Sequence, residues 1–137
     1  MTEENKNLLF RDLSSRFSYG VKVAYTTLSD NMPKVWDVIG LPAVGLVDII
    51  VPGKYRFAAV PVEEIKPYLR PMSSMTEEEK NELYGLTHEE QDSKELVVYH
   101  DCIDELSDFY NAHHFDYRGL IEMNLALEAP KGMYKIN

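Results

Sequence analysis

One cysteine, Cys102, stands in 137 residues, so no disulfide can form within the chain, and the content fits a reducing compartment. No long apolar run is present. The longest reaches from Ile39 to Pro52, contains Asp48, and is shorter than the roughly 20 residues a membrane helix needs. The opening Met1-Thr-Glu-Glu-Asn-Lys6 lacks the basic-then-apolar order of a secretion signal. These absences predict a cytoplasmic protein away from membranes. Bases are scarce too, with 14 Lys and Arg against 23 Asp and Glu. Strong nucleic-acid binding needs concentrated positive charge and is disfavoured. The G-x-S-x-G, Walker, G-x-G-x-x-G and HExxH patterns are all missing, which removes the common hydrolase, nucleotide and zinc-protease signatures.

What is there suits a globular domain. Hydrophobic residues make up 45% of the chain, enough for one core, and the length fits a single domain over 1–137 with loose tails at 1–5 and 131–137. The net charge of −9 is unevenly placed. Residues 76–108 hold twelve acids against Lys80 and Lys94, a segment charge of −10, and the remainder is +1. Such a segment is most simply a solvated helix face and loop, and its functional reading is an acidic patch that repels nucleic acid or attracts a basic partner.

Periodicity predicts the elements. Leu9, Phe10, Leu13 and Phe17 have helical spacing, with Arg11, Asp12, Ser14 and Ser15 opposite and Gly20 as the stop. Val21, Val23, Tyr25 and Thr27 alternate as a strand, followed by a turn at 29–33. Lys34–Ile39 is a second strand interrupted by Gly40-Leu-Pro42, and Gly45–Val51 is a third, central one. The Pro52-Gly53 turn joins it to a fourth at Tyr55–Val60. Pro61 starts a short helical turn, and Pro67 and Pro71 hold Tyr68-Leu-Arg70 extended. Thr76-Glu-Glu-Glu79 is a capping box opening a helix that Gly85 ends. Residues 86–95 are a polar loop, a helix follows over 101–113, and Asp116 caps a third, short helix to Met123. The expectation is α+β: a small antiparallel sheet of about four strands, an N-terminal helix and three short C-terminal helices.

Three stretches carry a resemblance. Pro67-Tyr-Leu-Arg-Pro-Met-Ser-Ser-Met-Thr-Glu-Glu-Glu79, Asn111-Ala-His-His-Phe-Asp-Tyr-Arg-Gly-Leu-Ile121 and Leu125-Ala-Leu-Glu-Ala-Pro130 resemble a family of small uncharacterised proteins encoded by phages and prophages of gut Bacteroidales. Leu8-Leu-Phe-Arg-Asp-Leu13 with Tyr19-Gly-Val-Lys22 is similar as well, and residues 26–60 are least so. The resemblance implies a mobile-element origin and no particular chemistry. Its pattern tends to glycine where this chain has Asn124, and asparagine is the next best residue for a left-handed stop.

Candidate chemistry concentrates at His113, His114, Asp116, Tyr117 and Arg118. Arg118 could grip an anion bidentately, the helix start near Asp116 could offer free N–H groups, and a histidine could move a proton. The competing structural reading has Asp116 as a cap, Arg118 paired with Asp116 or Glu122, and the aromatics packed. His88-Glu-Glu-Gln-Asp92 and His100-Asp-Cys-Ile-Asp104 supply metal-ligand types without a standard spacing, so neither a metal nor a cofactor is assigned. Cys102 lies between Asp101 and Asp104, which suppress a thiolate. Trp36, Tyr55, Phe57 and Tyr68 sit near Arg56 and Arg70, but core packing outweighs RNA stacking in an acidic chain. The residues thus favour a non-enzyme: an interaction module for a host or phage protein. The alternative is a small anionic-ligand binder using Arg118 and the helix start near Asp116.

Overall fold

A computed structural model describes residues 1–27, 34–87 and 103–134. The turn at 29–33, the loop beyond Thr87, the histidines 88 and 100, Cys102 and the last three residues lie outside them. The chain runs α1 (Glu3–Arg16), β1 (Lys22–Tyr25), β2 (Lys34–Ala43), β3 (Leu46–Val51), β4 (Tyr55–Pro61), β5 (Lys66–Leu69), α2 (Glu77–Thr87), α3 (Ile103–Ala112) and β6 (Leu127–Glu128). The sheet has six strands in the order β4-β3-β2-β1-β5-β6. The α+β class and the antiparallel β1–β4 meander agree with the sequence reading. The four-strand count does not. The prolines at 67 and 71 leave room for β5, which pairs antiparallel with β1, and two-residue β6 adds itself parallel to β5.

α1 begins at Glu3 under a Thr2 cap, so residues 1–5 are no loose tail. Its buried face is Leu9, Asp12, Leu13 and Arg16, the i, i+3, i+4, i+7 stripe. Leu9 and Leu13 pack on Val23, Trp36, Val47 and Ile49 of the sheet. Two of the four stripe positions are charged, a departure from the expected stripe, since Phe17 stays 37% exposed. Trp36 is buried edge-on to Tyr25 and Phe57, so these aromatics pack against one another.

β2 runs on through Gly40-Leu-Pro42 instead of stopping there. The register shifts on either side of Gly40 give Pro42 a place outside regular pairing, where its missing N–H costs nothing. Asp48, the polar exception in β3, sits at the same irregularity. Its carboxylate accepts the N–H of Ala59 at 2.7 Å, where φ of +53° takes β4 out of register. A side chain at position 40 would come within 3.1 Å of Asp48 Oδ2, so glycine there leaves the carboxylate its room.

α2 opens with the predicted capping box: Glu79 N–H donates to Thr76 Oγ1, and Thr76 N–H to Glu79 Oε1. It runs past Gly85 to Thr87. The third C-terminal helix is absent. Asp116 does cap, accepting from Leu120 and Ile121 N–H at 2.8 and 2.9 Å. Gly119, however, takes φ of +76°, outside the helical range, and residues 117–124 form turns instead. Leu125 N–H to Leu120 O, Asn124 N–H to Ile121 O and φ of +61° at Asn124 close the last of them with the expected left-handed asparagine.

Candidate functional site

α3 ends in a Schellman motif. Phe115 N–H returns to Tyr110 O at 2.9 Å and His114 N–H to Asn111 O at 3.2 Å, which puts His114 at the left-handed position with φ of +64°. Glycine normally takes that place, because a side chain there costs about 1–2 kcal/mol. The turn then locks onto the end of β5: Arg70 N–H donates to His114 O and Asp116 N–H to Arg70 O. Phe115 is driven into the core beneath Phe109, which completes the hydrophobic part of the motif.

The reversal sends the two neighbouring histidines to different surroundings. His113 faces α2. Its Nδ1 is 2.9 Å from Glu79 Oε2, without the alignment of a hydrogen bond, and its Nε2 is 3.4 Å from Glu82 Oε2. Glu79 is also gripped by both terminal nitrogens of Arg70, at 2.7 and 2.8 Å. That grip, helped by the Thr76 cap and opposed by burial, holds the Glu79 carboxyl down at about 2. The terminal nitrogens of Arg70 are each engaged twice, with further bonds to His113 O and Ser74 O, and its guanidinium lies over the Phe115 ring.

His114 turns the other way and stacks flat on Tyr134, centroids 3.7 Å apart. Burial, then the charges of Arg16, Arg70, His113 and Lys22, lower its pKa to about 4, so the ring is neutral at physiological pH. The Tyr134 hydroxyl donates to Tyr68 O at 2.7 Å and accepts the Lys22 N–H at 2.9 Å. It thus fills the fork where β1 and β5 separate beyond their two paired positions. Burial pushes this phenol up to about 12. The expectation of a loose tail therefore fails as far as Tyr134.

The remaining candidates serve internal contacts. Arg118 pairs with Asp12 at 2.7 Å, not with Asp116 or Glu122. Arg16, wholly buried, grips the same Asp12 at 2.8 and 3.0 Å, so two cations share one carboxylate. Tyr117 lies under both guanidiniums and against Tyr110. Asp116 spends both carboxylate oxygens on its own turn. Of the five candidates, His114 borders a cleft, of about 250 Å³, together with Tyr19, Lys22, Asp37, Val38, Met133 and Tyr134. A second cleft of about 440 Å³, between Arg70, Thr76, Glu128 and Lys131, lies on the other side of Tyr134.

Sequence reasoning missed Asp12, Arg16, Lys22 and Tyr134 as parts of this region. The i, i+4 spacing of Asp12 and Arg16 beside Leu9 and Leu13 was the available signal for the first two. Among the described residues no group of three His, Cys, Asp or Glu could hold a metal, and no helix is long and apolar enough to cross a membrane. No protein-family model, curated protein or solved structure matches the chain.

Proposed function

We propose that this chain is a non-enzymatic interaction module of phage or prophage type, acting in the host cytoplasm by docking an acidic helix on a basic protein surface. The observation that carries this reading is how α2 is mounted. Only Glu79 of its acids is turned inward, where Arg70 grips it and His113 stands 2.9 Å away. Glu77 and Glu82 stay 85% and 57% exposed, Glu78 is exposed beside them, and Tyr84 stands 50% exposed one turn on. An anchored helix with an acidic outer face and a half-exposed tyrosine suits steered association with a cationic partner, since aromatics are favoured at interface centres and opposite charge speeds encounter.

The test is affinity purification from host cells with quantitative mass spectrometry, comparing the wild-type chain with a Glu77→Lys, Glu78→Lys, Glu82→Lys variant. The expected result is a stoichiometric basic protein that the wild-type chain retains, that high salt releases, and that the charge-reversed variant loses. Equal capture by both forms, or an enzymatic turnover that depends on His114 or Arg118, would overturn the proposal. The small-anion alternative finds its first donors occupied, because Arg118 is on Asp12 and the N–H groups near Asp116 are already capped.

A further inference from the structure

The cleft beside His114 has a chemistry of its own. One wall is apolar and aromatic, formed by Val38, Met133, Tyr19 and Tyr134. The other carries Lys22, Asp37 and His114. The Lys22 ammonium spends one of its three N–H groups on Asp37 at 2.7 Å and remains partly open to solvent. The neutral imidazole of His114 keeps one N–H to donate. Behind them the positive charge is incompletely balanced. Arg16 and Arg118 share the single carboxylate of Asp12, and Nη1 of Arg16, fully buried, has no hydrogen-bond partner. His114 occupies a strained left-handed position where glycine would fit without cost. Its ring is braced by Tyr134, whose hydroxyl is tied to two backbone groups, so the imidazole edge is held in a fixed place.

We propose that this cleft binds a small carboxylic acid with an apolar body, its carboxylate received between Lys22 and His114 and its body lying on Tyr134, Met133 and Val38. Size supports the class. A volume of about 250 Å³ is at or below the small end of ordinary ligand pockets and equals the liquid volume of roughly eight waters, so it suits a compact acid rather than a cofactor. Charge favours an anion at the imidazole, because the charges that lower the His114 pKa, after burial, are those of Arg16 on α1, Arg70 after β5, His113 beside it and Lys22 on β1, while Asp37, the carboxylate on the same wall, is paired with Lys22. An anion entering the cleft offsets that field and makes the imidazolium acceptable. This site is independent of the acidic face of α2 and stands or falls separately from it.

The test uses benzoate, its neutral isostere benzamide, and inorganic phosphate, with the His114 ring resonances followed by NMR through a pH titration and assigned by their loss in His114→Asn. Benzoate at millimolar concentration is expected to raise the pKa of His114 by about one unit, equivalent to about tenfold preference for the protonated form. Benzamide should leave it unmoved, and phosphate should act more weakly because it gains nothing from the apolar wall. Lys22→Gln, which leaves the core untouched, is expected to weaken benzoate binding about five- to tenfold. No response to benzoate at roughly 20 mM, a range that would still reveal a weak millimolar site, overturns the proposal. So does an equal response to benzamide or phosphate, or unchanged affinity in a folded Lys22→Gln protein.

Discussion

His113 and His114 are adjacent in the chain and live in opposite fields. The first stands among carboxylates, with Glu79 and Glu82 at its two ring nitrogens. The second is buried among cations, and that burial first and the charges second make it give up its proton readily. One left-handed residue at the end of α3 produces the difference, since it turns consecutive side chains to different faces of the junction. The lesson is that a His-His pair in a sequence is not one site. Each side of the junction also has its own anchor: Arg70–Glu79 for the acidic side, Asp12–Arg16–Arg118 for the basic side.

The basic side should break hardest. Asp12→Ala leaves Arg16 buried without a counter-charge and frees Arg118, and is expected to cost about 3–5 kcal/mol in urea unfolding, the range for breaking a buried pair. The acidic side should break less. Glu79→Gln keeps the shape of the cap but loses the charge that Arg70 grips with two nitrogens, for about 2 kcal/mol by the same measurement. Its acid dependence has a defined window. Because the folded protein holds this carboxyl at about 2 against an ordinary 4.5, its stabilisation is complete above 4.5 and drains away as pH falls toward 2. The glutamine variant should be flatter over that range.

The smallest effect sharpens the comparison most. The folded protein resists protonating His114, so the unfolded chain takes up the proton first, and stability falls as pH drops from about 6.5 to about 4 and then levels. The ring is partly exposed, and with solvent screening the loss is about 1–2 kcal/mol. His114→Asn suits the left-handed backbone and should remove this slope, read from urea midpoints at successive pH values. If the slope survives in His114→Asn, the buried imidazole of His114 is not its source.

Much of this was legible in the chain where the cause is local. The alternation of Val21 to Tyr25, the Thr76–Glu79 box, the Asp116 cap and the left-handed Asn124 depend on residues a few positions apart, and all are present. Distance defeated the rest. Arg118 reaches Asp12 across 106 positions, and local spacing made Asp116 or Glu122 the natural partners. β6 is two residues long and exists because β5 offers it a free edge. The third helix fails for a local reason: Gly119 follows the cap too closely and leaves the helical range.

The Tyr134 hydroxyl joins Lys22 and Tyr68 across 112 and 66 positions of chain. Closing such long loops loses chain entropy before any contact repays it, so this bridge belongs to the last steps of folding. Tyr134→Phe should therefore leave the folding limb of a chevron unchanged and steepen escape from the native state alone, with a φ-value near zero. The residue that seals the seam between β1 and β5 would then govern how long the fold lasts rather than how fast it forms.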